Sequence, residues 1–256
     1  MLGCDTGHRF DSSRRGYLTT IDQSKGITGD PRSLLEARAR FLALGHYEPI
    51  ASAVSSALSS AEPLAVLDSG AGTGYYLQHV LSHSPIAHDA LASDASAAAV
   101  AMTIAATGCV GLVADVWQPS AVRSARADVI LCVFAPRNPA EFARVLRADG
   151  TLVVVTPASD HLAELRAAGL MLGMQEDKLA KLDTALGEHF ELRDRSRLHY
   201  QMELSATAAA DLTGMGPSGH HESRGEWQGG AVTVSVDCSV YAVKAPNSLS
   251  AVKPSN

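Results

Sequence analysis

The stretch Val66-Leu67-Asp68-Ser69-Gly70-Ala71-Gly72-Thr73-Gly74 decides how this chain of 256 residues is read. It continues the apolar run Leu64 to Asp68 and leads into Tyr75 to Leu81, whose pattern is helical. A strand that ends in alternating glycines and restarts as a helix bares backbone N–H groups at a helix N-terminus, where a polar ligand can come close. The next apolar run, His88 to Ser93, is closed by Asp94, about twenty residues on, where nucleotide-binding units of this kind carry an acid that accepts ribose hydroxyls. The dinucleotide spacing Gly-x-Gly-x-x-Gly is absent, and the order is Asp-x-Gly-x-Gly-x-Gly.

Outward from this loop, strand and helix patterns alternate. Upstream, Leu34, Leu35, Arg38, Phe41 and Leu42 recur at helical spacing between Pro31 and Gly45, and a second helix is expected over 48–60. Downstream come an Ala-rich helix at 96–106, strands at Cys109 to Val113 and Asp128 to Val133, a helix at 138–147, a strand at Gly150 to Thr156 and a helix at 158–171. Apolar strands without alternation, joined by helices, imply a parallel sheet covered on both faces. The end of the chain changes character. Phe190 to Leu204 and Val232 to Ala242 alternate strictly, as strands with one wetter face at an antiparallel edge do. Thr213 to Gly230 is expected to be a loop, and the chain from Pro246 a disordered tail.

Composition sets outer limits. With 46% hydrophobic and 19% charged residues the chain can fill a core, which excludes a wholly disordered protein. Aromatics are only 5%, so that core must be mainly Ala, Val and Leu. The net charge of −6 argues against a protein that grips nucleic acid over a wide surface. That charge is uneven: residues 1–40 hold seven basic and five acidic side chains, so +2 stands there against −8 in the remainder. Cys4, Cys109, Cys132 and Cys238 are scattered, which predicts no disulfide framework. No secretion signal or membrane span is read, and a cytoplasmic protein is expected.

The loop with its acid resembles the first motif of class I S-adenosylmethionine (SAM) methyltransferases. The resemblance implies an α/β Rossmann-like fold with a mostly parallel seven-stranded sheet and an antiparallel C-terminal strand. It also implies that Asp68, Gly70, Gly72 and Gly74 form the cradle of the cofactor, that Asp94 binds its ribose and that Asp115 binds its adenine. A longer series is more specific. Cys4-Asp5-Thr6-Gly7-His8-Arg9-Phe10-Asp11, Arg15-Gly16-Tyr17, Gly29-Asp30, Ala37-Arg38, Phe41-Leu42, Gly45-His46-Tyr47-Glu48-Pro49, Gly74-Tyr75-Tyr76, Ala135-Pro136, Thr156-Pro157, His161-Leu162 and Glu164-Leu165 occur in order. Together they resemble the RlmA family of bacterial 23S rRNA guanine-N1 methyltransferases, across most of the chain. What this implies is methylation of N1 of a guanine in an rRNA hairpin near the exit tunnel, linked in one branch to macrolide resistance. Tyr47, Gly74, Tyr75, Asp94 and His161 are the implied SAM contacts.

The family's N-terminus is a zinc ribbon of Cys-x2-Cys and Cys-x3-His. Cys4 and His8 match its second half, and the first pair is absent from the sequence. Two ligands cannot close a structural zinc site, which takes four, so zinc is not expected from these residues alone. Residues 1–30 are read as a remnant of that module, 31–245 as the methyltransferase domain and 246–256 as the tail. Arg9, Arg14, Arg15, Lys25 and Arg32 are the candidate phosphate contacts. Phe134-Ala135-Pro136-Arg137-Asn138 stands after the fourth strand, where amino-methylating enzymes carry an aromatic motif. From position alone, Phe134 could stack on the target base, the Phe134 and Ala135 carbonyls could accept a guanine N–H, and Asn138 is a further candidate. The expected partner is a 23S rRNA hairpin, with a second copy of the chain as a possible homodimer partner and no membrane. Two other readings stand beside this one: a SAM-dependent methyltransferase of a small metabolite, and a SAM-binding protein without catalysis.

Overall fold

A computed structural model describes residues 2–3, 9–10, 12–21, 29–58, 60–173, 178–216 and 225–244. The strand that carries the glycine loop, β4 (Ala65–Ser69), lies inside the sheet. Parallel to it on either side run β5 (Asp89–Asp94) and β7 (Ala127–Val133). Beyond β5 lie β6 (Val110–Val113) and then β3 (Tyr17–Thr19), both parallel. Beyond β7 lie β8 (Leu146–Pro157), parallel, and β10 (Gly230–Val243) and β9 (Phe190–Leu204), with β10 antiparallel to both. Two short strands, β1 (Leu2–Gly3) and β2 (Arg9–Phe10), pair with each other separately.

The main sheet thus has eight strands instead of the seven expected. The eighth is β3, three residues long, too short to show a period in the sequence. It ties residues 17–19 of the N-terminal segment into the sheet of the domain. No described helix is long and apolar enough to cross a membrane.

Helices α1 (Arg32–Ala43), α2 (Glu48–Ser56), α3 (Tyr75–His83), α4 (Ala97–Thr107) and α5 (Pro139–Val145) stand where the sequence puts them. Their ends have local causes. The Ser96 hydroxyl accepts from the Ala99 N–H to open α4, and Gly108 closes it in the left-handed region. Asn138 accepts from the Glu141 N–H, with Pro139 at the first position of α5. The helix expected over 158–171 shrinks to α6 (Ala163–Ala167), because Leu162 takes φ +58 and the chain turns before it can wind. Two helices were not foreseen, α7 (Lys178–Leu186) and α8 (Ala206–Gly214). Helix α8 is capped by Ser205 and enters the stretch expected to be a loop.

The core forms two layers. Ile50, Leu77, Leu131 and Val153 are in one, and Ile130, Leu152, Leu186 and Phe190 in the other, all fully buried. Burying such a side chain stabilises by about 1.5–3 kcal/mol. Strand β10 departs from expectation, since its supposed wet face is buried as well. Ser235, Asp237 and Ser239 are at most 2% exposed. Arginines of β9 cover them: Arg197 grips Asp237 with two bonds of 2.9 and 2.8 Å, and Arg195 donates to the Ser239 hydroxyl at 2.8 Å.

Candidate cofactor and acceptor site

One cavity of about 720 Å³ opens at the C-terminal ends of β4, β5, β6 and β7. This is where open α/β sheets bind ligands. At one end is the loop after β4. Gly70 has φ +82, and a Cβ there would stand 2.4 Å from the Ala135 Cβ. Gly74, also at φ +82, would clash with Thr103 of α4 at 2.8 Å; it packs the loop onto that helix and does not line the cavity. Gly72, Tyr75 and Ser69 do line it.

Asp94 holds the loop in shape. Its two carboxylate oxygens accept from the Gly72 N–H at 3.0 Å and the Ser96 N–H at 2.8 Å. Burial holds its carboxyl above the ordinary range, and those two N–H groups offset part of that rise. Each oxygen keeps a lone pair for a ribose hydroxyl. Asp115 lines the same end, its carboxylate accepting from the Trp117 N–H at 3.0 Å. Asp68 is 3% exposed and does not face the cavity; burial first, then the nearby Asp94, push its carboxyl up to about 7.

The other end is aromatic. Phe134 directly follows β7 with φ +53, a left-handed conformation that is rare for a bulky residue and concentrated at functional sites. It is 39% exposed into the cavity. Around it stand Tyr47, Tyr76 and His161, with ring centroids 6.2, 6.3 and 6.2 Å away, and the His161 ring lies within 19° of parallel. The Tyr47 hydroxyl is 3.3 Å from His161 Nε2, and both residues are buried.

Tyr47, Tyr75, Asp94, Asp115, His161, Phe134 and Ala135 therefore meet in one cavity with Gly70 and Gly72. Asn138 does not join them. Its amide is used at both ends, donating to the Val116 carbonyl at 3.0 Å and capping α5. The Ala135 carbonyl already accepts from Arg137 at 3.3 Å and from the Cys132 thiol at 3.5 Å. Arg14 and Arg15 are exposed in the turn before β3, and Arg32 is exposed in an ion pair with Glu36 at 2.8 Å. Cys4, His8 and Lys25 lie outside the described residues, as does the Arg9 side chain. Among the described residues no group of three or more His, Cys, Asp or Glu side chains is placed to hold a metal ion.

Residues that the sequence did not single out also line the cavity, among them Arg38, Tyr76, Trp117 and Arg166. Arg38 bonds Asp30 and the Met215 carbonyl, both at 2.8 Å, and its guanidinium would meet a Cβ on Gly72 at 3.2 Å. Arg166 donates to the His161 and Ser159 carbonyls and so holds the turn that carries His161. Arg38 and Tyr76 stood in quoted motifs, but helical spacing alone does not distinguish a side chain that faces a cavity from one that packs.

The chain is 37% identical over 229 residues to a 23S rRNA (guanine(748)-N(1))-methyltransferase of Streptomyces fradiae, covering 88% of this chain and 82% of that one. The chain belongs to the 23S rRNA guanine-N1 methyltransferase family. Another member, from Micromonospora griseorubida and provisionally named for the same activity, is 38% identical over 86% of this chain and 80% of its own length. No protein-family model matches the chain. Solved structures show the same fold. The YcgJ protein of Bacillus subtilis aligns with TM-score 0.52 at 15% identity, over 78% of this chain and 100% of its own. A Bacillus halodurans protein provisionally described as a methyltransferase aligns with TM-score 0.51 at 14% identity, over 75% and 97%. As a member of this family the protein is a SAM-dependent methyltransferase, and its glycine cradle fits that cofactor: Gly70 and Gly72 leave room where side chains would intrude, and Asp94 offers acceptors.

Proposed function

We propose that this protein methylates N1 of a guanine held in a 23S rRNA hairpin. The carrying observation is that one cavity joins the glycine loop and Asp94 to an exposed aromatic platform at Phe134. A base inside a folded hairpin must be splayed out to reach a buried methyl donor, and a splayed base is held by stacking. Phe134 gives it that surface.

Asp94 would take the ribose hydroxyls of SAM, Asp115 the adenine amino group, and Arg38 the carboxylate of the methionine part. Bound there, SAM supplies an electrophilic methyl group. The protein's own work is orientation, bringing the acceptor nitrogen to near contact distance in line with the departing sulfur. Tyr47 and Tyr76 flank the platform, and Leu162 lines the same cavity. Arg14 and Arg15 would meet the hairpin's phosphates in a narrow contact, which is compatible with a net charge of −6. In the cell, methylation at such a site would lower macrolide sensitivity.

The test is methyl transfer from labelled SAM to 23S rRNA lacking the modification, with the product mapped by reverse transcription. A new stop at one guanine is expected. Label in a small molecule and none in RNA would support a metabolite methyltransferase, and binding of SAM with no transfer to any acceptor would support a non-catalytic binder.

A further inference from the structure

The acceptor end of the cavity contains a hydrogen-bond chain whose direction is fixed by the fold. Ser235 sits on β10 just beyond the last residue paired with β8, which is Val236 opposite Pro157. Its N–H is therefore not used by β8, and it donates to His161 Nδ1 at 3.2 Å. A ring nitrogen that accepts carries no proton, so His161 is neutral with its proton on Nε2. That Nε2–H points at the Tyr47 hydroxyl oxygen, 3.3 Å away. The Tyr47 oxygen thus accepts from His161, which leaves its own proton for an acceptor other than the histidine, and Tyr47 lines the cavity. Burial, and the nearby Tyr200, hold the Tyr47 hydroxyl far above its ordinary range, so it stays protonated.

We infer that Tyr47 is a one-way donor to O6 of the target guanine, oriented by His161 and by the Ser235 N–H behind it. This rests on the reading that guanine is the acceptor. When N1 loses its proton to water at the cavity mouth, the N–H electron pair stays on the ring and spreads onto O6. A donor already aimed at O6 stabilises that charge without reorganising, as an oxyanion hole does.

One observation favours O6 over the carboxylate of SAM, and a second shows that, among the described residues, no carboxylate base stands at this end. Arg38 stands over Gly72 at the glycine-loop end, where its guanidinium, paired with Asp30 through one nitrogen, turns the other toward the loop and can meet a carboxylate there. The cavity's carboxylates are engaged elsewhere: Asp30 is paired with Arg38, and Asp94 and Asp115 follow β5 and β6, while Phe134 follows β7, on the far side of β4. Two strand spacings separate β5 from β7, about 10 Å. A donor, and not a base, is what this end of the cavity provides.

Two measurements test this. In the first, 15N spectra of histidine-labelled protein should show His161 with an unprotonated Nδ1 and a protonated Nε2, the peak being assigned with His161→Asn. A protonated Nδ1 would overturn the chain. In the second, binding with S-adenosylhomocysteine present is compared for two hairpins, one with guanine and one with 2-aminopurine (which lacks O6) at the target position. Wild type should prefer guanine by ~10-fold, and Tyr47→Phe should reduce that preference to within about 2-fold, with SAM affinity within about 3-fold of wild type. An unchanged preference with weakened SAM binding would mean that Tyr47 serves the cofactor, and an unchanged preference with unchanged SAM binding that it serves neither. Both outcomes overturn the inference. If wild type places no methyl on any guanine, it is the reading of the function that fails, and the histidine spectrum still reports on the chain.

Discussion

The two ends of the cavity are built in opposite ways. The cofactor end comes from the C-terminal tips of adjacent strands β4, β5 and β6, and its polar groups are already tied to the backbone: Asp94 to Gly72 and Ser96, Asp115 to Trp117. The acceptor end draws on residues 47, 76, 134 and 161, and it is held by rings about 6 Å apart and by the bonds around His161. A run of glycines with an acid one strand away can specify the first. The second requires the tertiary fold to exist before the residues meet. The contrast predicts that substitutions at one end should spare the other.

The largest separation is expected at Gly70. A valine there must accommodate a Cβ 2.4 Å from the Ala135 Cβ at φ +82, a backbone region that β-branched residues avoid. Gly70→Val should weaken SAM binding by at least ~100-fold by calorimetry, as expected from ~3 kcal/mol of strain and lost approach. Since Ala135 follows Phe134, this variant also probes how tightly the ends are joined. Near-normal SAM affinity would break the account of the loop.

Asp68 lies behind the same end, and the expectation is a pH effect. Its carboxyl sits at about 7 in the folded protein against an ordinary value of 3.8. Folding therefore favours its protonated form, and the unfolded chain gives the proton up first. Stability is lost as pH rises from about 4 through 7, and the full cost is present above 7. Asp68→Asn removes the titration. Relative to wild type it should gain stability between pH 4 and pH 8, by roughly 2–4 kcal/mol in denaturant melts. A difference between the two proteins that does not change with pH would show that the carboxyl does not titrate in this range.

At the acceptor end, Phe134→Ala should lower kcat/KM for the hairpin by about 10–100-fold, the range that loss of one base–aromatic stack implies. SAM affinity should stay within about 3-fold. If SAM binding falls in parallel, the ends are not separable and Phe134 supports the loop instead.

These differences explain how far the sequence could be read. The parallel core, the glycine loop and Asp94 were legible because each rests on a short-range pattern: apolar runs, a fixed glycine spacing, one acid at a strand end. Strand β3 was not, since three residues show no period. The buried polar row Ser235, Asp237 and Ser239 was misread as a wet face because alternation cannot reveal the arginines that arrive from β9. Tyr47 and His161 were named through resemblance, yet their hydrogen bond, and the Ser235 N–H behind it, join positions 114 and 74 residues apart. Arg38 stood in a quoted motif, but nothing in the sequence told that it faces the cavity.

The smallest effect should come from the residue that looked catalytic by position and is placed outside the cavity. Asn138 follows the strand end that carries Phe134, four residues on, where an acceptor-side role is expected. The fold uses it differently. Its carbonyl oxygen takes the Glu141 N–H at 3.3 Å to start α5, and its amide nitrogen ties that start to the Val116 carbonyl at 3.0 Å. Removing such a cap costs about 1 kcal/mol. Asn138→Ala should therefore melt earlier by that amount while kcat and the KM for RNA stay within about 2-fold of wild type. Asn138→Asp should restore much of the stability, because a carboxylate caps the helix as well and favours its N-terminus. A large fall in kcat at normal stability would reverse the assignment. It would move the acceptor site outward from Phe134 along the loop, toward the Val116 carbonyl and the adenine end.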